Sequence, residues 1–430
     1  MTPEETGEMP EANKARSPFH PGQPVPVELF VGRRPQIERI MQRGAGQAAA
    51  GKPVAVFVVG EYGIGKSSLA RFVQRLAEKQ HALHGIYAQL GACSRLEDVA
   101  AAIVQGVLIS GAFDPRRDEK ILNWLARYVG RQELLGVSFN LEALRQDAPG
   151  LASPEGLLPF LAEARKRLAE EGVRGLFLVL DEINGMTDQP QFAHFIKGLV
   201  DANALSRDPL PLLLMLCGVE ERRRQMIQAH QPVERIFDVV EIEAMDETES
   251  REFFERSFSS VDMKLEAKAA QTMAHYSGGY PKVMHLVGDC AFWFDDDGVI
   301  NESAAAAAVY MAAEEVGRKY VDQQVYGALR SEDYHSILSK IAGHGPDELS
   351  FAKKEVASGL SEAEKRKFDN FLQKMKRLKV IRSRDRLGEY VFNNRMVRLY
   401  IWLRSAKKEG GSAWDEPGNR RARPAEHHRR

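Results

Sequence analysis

V-A-V-F-V-V-G-E-Y-G-I-G-K-S-S-L-A, running from Val54 to Ala70, is the stretch on which the fold turns. Its first six residues, Val54 to Val59, are apolar and mostly β-branched, the pattern of a strand buried on both faces. A glycine-rich turn follows, and a helical run begins at Lys66. Gly60, Gly65, Lys66 and Ser67 fill the fixed positions of G-x-x-x-x-G-K-[ST], a phosphate-binding loop. Gly60, Gly63 and Gly65 let the backbone turn tightly enough to aim its N–H groups at an anion. The start of the following helix adds the positive end of its dipole. The expected contact set is completed by Glu61, Tyr62, Ile64 and Ser68. Lys66 brings a mobile charge to the outer phosphates, and the Ser67 hydroxyl is placed to ligate Mg²⁺. The alternative, an ordinary strand-to-helix turn, does not call for all four matches in this context.

From Val54 onward apolar strands alternate with helices, which predicts a parallel sheet covered on both faces, an α/β fold. Strands are expected near 54–59, 85–90, 175–181, 212–217 and 237–243. A helical excursion over roughly 95–170 separates the second from the third. Its irregular middle, Ala112 to Pro149, contains Asp114-Pro115-Arg116-Arg117 and Trp124. A helix is expected after Gly32, with Ile37 and Ile40 on its buried side. No strand signal follows residue 244 until the far C-terminus; four helices are expected between Asp246 and Tyr326, with Pro281 opening the third.

The second chemical signal is G-L-F-L-V-L-D-E, Gly175 to Glu182, an apolar strand ending in two carboxylates. Strand ends are where an open parallel sheet binds ligands. Asp181 would hold Mg²⁺, directly or through water, and Glu182 would orient and deprotonate an attacking water. A buried strand that happens to meet an acidic loop is the bland alternative, weakened by the phosphate loop upstream. The adjacent glutamate favours ATP hydrolysis over a GTPase that relies on a loop glutamine, and no N-K-x-D guanine-reading motif is present.

At 430 residues the chain is long enough for two or three domains. With 59 basic and 60 acidic side chains, its overall charge says nothing about nucleic acid, so any basic surface must be local. Leu210 to Val219 is the longest strongly apolar run, about half a membrane span, and Pro211 interrupts it. No membrane partner is therefore expected. Three cysteines without C-x-x-C spacing, Cys93, Cys217 and Cys290, and the absence of a signal-like segment point to reduced thiols and a cytoplasmic location.

Three motifs in order, F-V-G-R-R at Phe30 to Arg34, the phosphate loop, and L-V-L-D-E, resemble those of the AAA+ branch. That branch includes origin-recognition-type initiators, archaeal-type ATPases and STAND-like relatives. The resemblance covers roughly residues 27–290. It implies a P-loop AAA+-type core over 27–243, a helical lid over 244–326 and a C-terminal winged helix over 327–404. Flanking tails would occupy 1–26, which holds six prolines, and 405–430, expected to be disordered and basic. It also implies that Phe30, Val31 and Gly32 line an adenine pocket, and that ATP and Mg²⁺ are the cofactors. A polar sensor residue is expected at the end of the fourth strand, where this chain has Cys217, a weak donor. Lys282, after the turn Gly279-Tyr280-Pro281, stands at the lid position for a basic nucleotide contact. An arginine finger acting on a neighbouring copy would be Arg235, with Arg222, Arg223 and Arg224 as competitors. Such a finger implies a homo-oligomer assembled on ATP.

In the C-terminal unit, Ser361 and Glu364 form a capping box ahead of a helix whose apolar stripe is Phe368, Phe371, Leu372, Met375 and Leu378. A hairpin follows, with Arg382 and Arg384 on one strand face. Residues 353–386 hold 12 basic and 5 acidic side chains, a local net of +7. That is either a duplex-DNA footprint or the solvated face of a protein-binding module. The expected function is an ATP-driven switch coupled to assembly and DNA. The alternative is a STAND-like scaffold ATPase whose terminal units bind protein.

Overall fold

The computed structural model describes residues 16–23, 30–112, 149–343, 348–384 and 386–408. Most of the irregular insertion at 112–149, including Trp124, lies outside the described residues, as does the tail beyond 408. The chain divides into two compact units, 23–244 and 1–22 with 245–430.

The first unit is built on five strands, β1 (Val54–Gly60), β2 (Leu83–Gln89), β3 (Gly175–Asp181), β4 (Leu212–Gly218) and β5 (Phe237–Ile242). Their order is β2-β3-β4-β1-β5, and every pairing is parallel. All seven residues of both β3 and β4 are buried, which is why these strands read as unbroken apolar runs with no alternation. A helix over Arg34–Arg39, α1, passes through a wider π-type turn at Ile40–Ala45 into a last turn, α2 (Gly46–Ala49). Ile40 is buried as expected, while Ile37 is half-buried. The sheet is covered by α3 (Lys66–His81), α4 (Leu96–Ile109), α5 (Pro154–Leu168), α6 (Pro190–Ala204) and α7 (Glu220–Ala229). Phe160, Phe192, Ile196 and Leu199 from α5 and α6 join Leu176, Leu178 and Leu180 of β3 in one core.

The second unit opens with α8 (Glu247–Ser259), which starts in a capping box of Asp246 and Glu249. Then come α9 (Ala267–Ser277), α10 (Pro281–Phe294) and α11 (Glu302–Val316). Two short strands, β6 (Lys264–Leu265) and β7 (Val299–Ile300), pair in parallel. This corrects the expectation of no strand in the region; a two-residue strand is too short to show a period. Residues 16–23 lie against these helices. Phe19 is buried, edge-on to Phe258 with ring centroids 5.0 Å apart. Gly288 makes the room, since a Cβ there would stand 2.2 Å from the Phe19 ring. His20 donates its backbone N–H to Nδ1 of buried His285 at 3.1 Å.

The C-terminal part runs α12 (Glu332–Ala342), β8 (Ser350–Ala352), α13 (Lys353–Ser358), α14 (Glu362–Arg377), β9 (Ile381–Ser383), β10 (Glu389–Phe392) and α15 (Arg395–Lys408). The antiparallel sheet has order β8-β10-β9. The sequence predicts only the β9–β10 hairpin; β8, three residues long, escapes it. The capping box forms, with Ser361 Oγ accepting from the Glu364 N–H at 3.3 Å and Glu364 accepting from the Ser361 N–H at 2.6 Å. Phe368, Phe371, Leu372 and Met375 are buried as the stripe predicts. Arg398, also buried, donates to the carbonyls of Ala342 and Glu348 and so ties the end of α12 to the approach of β8.

Candidate active site

The C-terminal ends of β1, β3 and β4 lie side by side, with β4 in the middle. The loop leaving β1 therefore meets the carboxylates leaving β3. Gly63 and Gly65 have φ of 75° and 96°, the left-handed region in which only glycine is unstrained. Gly60 is required for a second reason, because a Cβ there would stand 2.7 Å from the carbonyl oxygen of Ile242 on β5. Lys66 opens α3 and curls its ammonium back over the loop, donating to the carbonyls of Gly60 at 2.9 Å and Glu61 at 2.7 Å. Burial pushes the Lys66 ammonium down, while Cys217, Asp181, Glu182 and Glu61 oppose that shift. Tyr62 is exposed with its ring 5.6 Å from the Lys66 ammonium. Ile64 is buried beneath the loop, Ser68 is buried in the first turn of α3, and Ser67 is half-buried between them.

Asp181 is 3% exposed and holds two donors. Its Oδ1 accepts the backbone N–H of Glu182 at 2.9 Å, and its Oδ2 accepts the Tyr87 hydroxyl. Burial first, then Asp181, push the Tyr87 phenol up, so it keeps the proton it donates. Glu182 is exposed and has φ of 56°, a strained value for a side-chain-bearing residue. Gln89 donates to Glu182 Oε2 at 3.0 Å, and a Cβ on Gly91 would stand 2.5 Å from the same oxygen. Tyr87 and Gln89 are two residues apart on β2, so the pleat turns both toward one face. The sequence reading missed them. Alternation on β2 could have flagged the pair, but not that β2 borders β3.

Cys217 pairs with Val58 of β1 and is fully buried, and burial raises its thiol well above the usual range. Asp181 and Lys66 are the charges acting on it, in opposite directions. The thiol therefore stays protonated between the loop and the carboxylates, where the resemblance places a sensor.

Phe30 stacks on Phe72 of α3, centroids 4.6 Å apart at 18°. Val31 is buried and Gly32 has φ of 75°. Arg33, next in the same string, is a second missed residue. It too has positive φ, at 64°, and is 5% exposed. Its guanidinium donates to the carbonyl of Ile64 at 2.9 Å and to that of Glu243.

Arg235 lies in the short 3₁₀ turn before β5 and is exposed. Its competitors are engaged on α7: Arg223 with Glu220 and Glu234, Arg224 with Glu220, and Arg222 with Gln225. Lys282 is exposed at the second position of α10, in the other compact unit. A loop of inward N–H groups fits a polyphosphate, and a hydroxyl with a carboxylate is the hard-oxygen pair that suits Mg²⁺. Among the described residues no group of three or more metal-ligating side chains occurs, and no helix is long and apolar enough to cross a membrane.

Residues 29–227 match the AAA ATPase domain family. No curated protein matches the chain by sequence. Among solved structures the chain is similar to the Aeropyrum pernix ORC2 protein in its ADPNP–ADP complexes. Identity there is 13% and the TM-score 0.56, covering 88% of this chain and 94% of that one. It is also similar to the Walker-type ATPase paby2304 of Pyrococcus abyssi, with 17% identity, TM-score 0.50, and coverage of 87% and 96%. At these identities the likeness establishes the fold, a P-loop α/β fold of the AAA+ type.

Proposed function

We propose that the protein is an ATP-binding switch that hydrolyses ATP slowly and couples nucleotide state to self-assembly and to duplex DNA. One observation carries the proposal. The strand order sets Lys66, Asp181 and Glu182 around a single strand end, with the Cys217 thiol between them. Lys66 would release the carbonyls of Gly60 and Glu61 and take the outer phosphates, together with the N–H groups of residues 61–68. Phe30, Val31 and Gly32 would face the adenine, with Phe30 braced on Phe72. Ser67 and Asp181 would hold Mg²⁺, which neutralises phosphate charge when bound. Glu182, held by Gln89, would accept the proton of the attacking water. A thiol is a poorer donor than Asn, Ser or Thr, which supports slow turnover.

Arg235, exposed and outside the ion pairs that hold Arg223 and Arg224, is the finger we assign to a neighbouring copy. Lys282 is the lid residue we assign to the nucleotide. The helix, strand, helix, helix and hairpin of residues 332–392 support a winged-helix reading, and exposed Arg382 on β9 and Arg384 just after it support contact with DNA phosphates. A second reading, a STAND-like scaffold that binds protein there, is favoured by one observation. Lys353, Lys365 and Lys367 are already paired with Asp369, Glu362 and Asp333. Calorimetric titration of the full chain with ATP and Mg²⁺, with mass measured in both states, tests the proposal. We expect saturable binding and a larger particle with ATP; an absence of binding would end the reading.

A further inference from the structure

We infer that Arg33 is a positioning residue that transmits the state of the phosphate loop to the peptide leading into the second unit. The inference rests on the proposal that the loop binds a nucleotide, and it concerns how that event leaves the site. Gly32 and Arg33 both have positive φ, at 75° and 64°. A left-handed conformation at a long side chain is unfavourable and persists where surrounding bonds hold it. Two of those bonds go to carbonyls. The guanidinium donates through one amino group to Ile64, inside the loop between Gly63 and Gly65, and through the other to Glu243. Glu243 follows the last residue of β5 and stands two positions before Met245, where the second unit begins.

Met245 is itself fixed within that unit. Its N–H donates to the carbonyl of Gly279 at 2.9 Å, and a Cβ on Gly279 would stand 2.0 Å from the Met245 oxygen. A continuous path of hydrogen bonds and covalent bonds therefore runs from Ile64 through Arg33, Glu243 and Met245 to Gly279. That glycine lies three residues before Lys282. A loop that reshapes around a phosphate must move or stiffen the Ile64 carbonyl, since it sits among the N–H groups that turn inward. The guanidinium reaches the two carbonyls from two separate nitrogens of one rigid plane, whereas an ammonium on a shorter stem would have to draw both carbonyls to a single nitrogen. The requirement is thus for arginine and not for positive charge.

Amide hydrogen exchange of the full chain, with and without ADP and Mg²⁺, tests this in the parent, Arg33→Lys and Arg33→Gln, with calorimetry alongside. In the parent, nucleotide should slow exchange at residues 60–68 and also at 243–247, by about fivefold or more at the second segment. In both variants nucleotide should still bind and still protect 60–68, while the protection at 243–247 disappears. Retained protection at 243–247 in either variant would overturn the inference. So would a parent in which ADP protects 60–68 and leaves 243–247 unchanged, a result that needs no variant. A parent that binds no nucleotide in calorimetry is a different failure, that of the nucleotide reading itself.

Discussion

In the phosphate loop the Lys66 ammonium rests on the carbonyl oxygens of Gly60 and Glu61, whereas in the C-terminal basic segment Lys353, Lys365 and Lys367 each rest on a carboxylate. Carbonyl dipoles are weaker claimants than a phosphate, so under the proposed function an arriving anion would take Lys66 without leaving an anion behind. A carboxylate is a full charge, and phosphate must compete with it. Lys374 is committed as well, to the carbonyl of Ala328 and the ring of Tyr334. The local net of +7 therefore overstates what the surface can offer, and on the hairpin Arg384 and Arg386 share Glu389 at the longer distances of 4.0 and 3.9 Å. Counting charges in a sequence does not measure a footprint; the partners decide it.

The largest expected effect sharpens the core side of this contrast. Glu182→Gln keeps the shape and the Gln89 contact but cannot take a proton, so phosphate release should fall at least ~100-fold while ATP still binds. Parental turnover in this variant would break the assignment of the β3 end. Next, Lys66→Ala should cost on the order of 2 kcal/mol, about 30-fold in ATP affinity by calorimetry. An unchanged affinity would mean that the lysine's partners are structural only and the two regions do not differ as described.

On the other side, Arg382→Glu with Arg384→Glu should weaken duplex binding similarly on every sequence. The slope of log affinity against log salt should drop by about 0.9 for each phosphate that is no longer neutralised. Between 50 and 200 mM salt that amounts to about tenfold for two phosphates. Lys367→Ala, which removes a cation already paired with Asp333, should leave the slope unchanged. Filter binding of both variants at two salt concentrations decides it, and equal effects would erase the distinction between Lys367, closely paired with Asp333, and the hairpin arginines, of which Arg384 stands 4.0 Å from Glu389.

The most gradual effect, up to about 1.4 kcal/mol for each pH unit, concerns His285 in the second unit. Burial, then His20, push its pKa down to about 3. The folded form is therefore unprotonated over a range in which the unfolded chain, at 6.5, takes up a proton. Stability of this unit should be fully present above pH 6.5 and decline as pH falls from there toward 3. Urea melts of His285→Gln should lack that part of the decline; an identical pH slope in parent and variant would show that the imidazole is not held neutral.

The two chemical motifs were legible because each is local. A phosphate loop spans eight consecutive positions, and Asp181 and Glu182 are adjacent, so residue type and order carry the information. The five core strands were legible for a related reason, since burial on both faces demands unbroken apolar runs. Tyr87 and Gln89 were not legible, because their importance comes from β2 lying beside β3, a neighbour 92 residues away by the Gln89–Asp181 register. Arg33 stood in a string already singled out, yet its partners Ile64 and Glu243 are far along the chain. Strands of two or three residues, β6, β7 and β8, have too little length for a period to emerge.

By itself, then, the sequence determined the class of fold, the glycine-rich turn between β1 and α3 and the adjacent carboxylates at the end of β3, because short-range pattern and burial suffice for these. Tertiary structure alone decided which strand lies between them and which side chains hold the carboxylates. It also decided which basic residues are already paired. Each of these is a relation between distant residues, and only the packed sheet and its bonded neighbours bring them within reach.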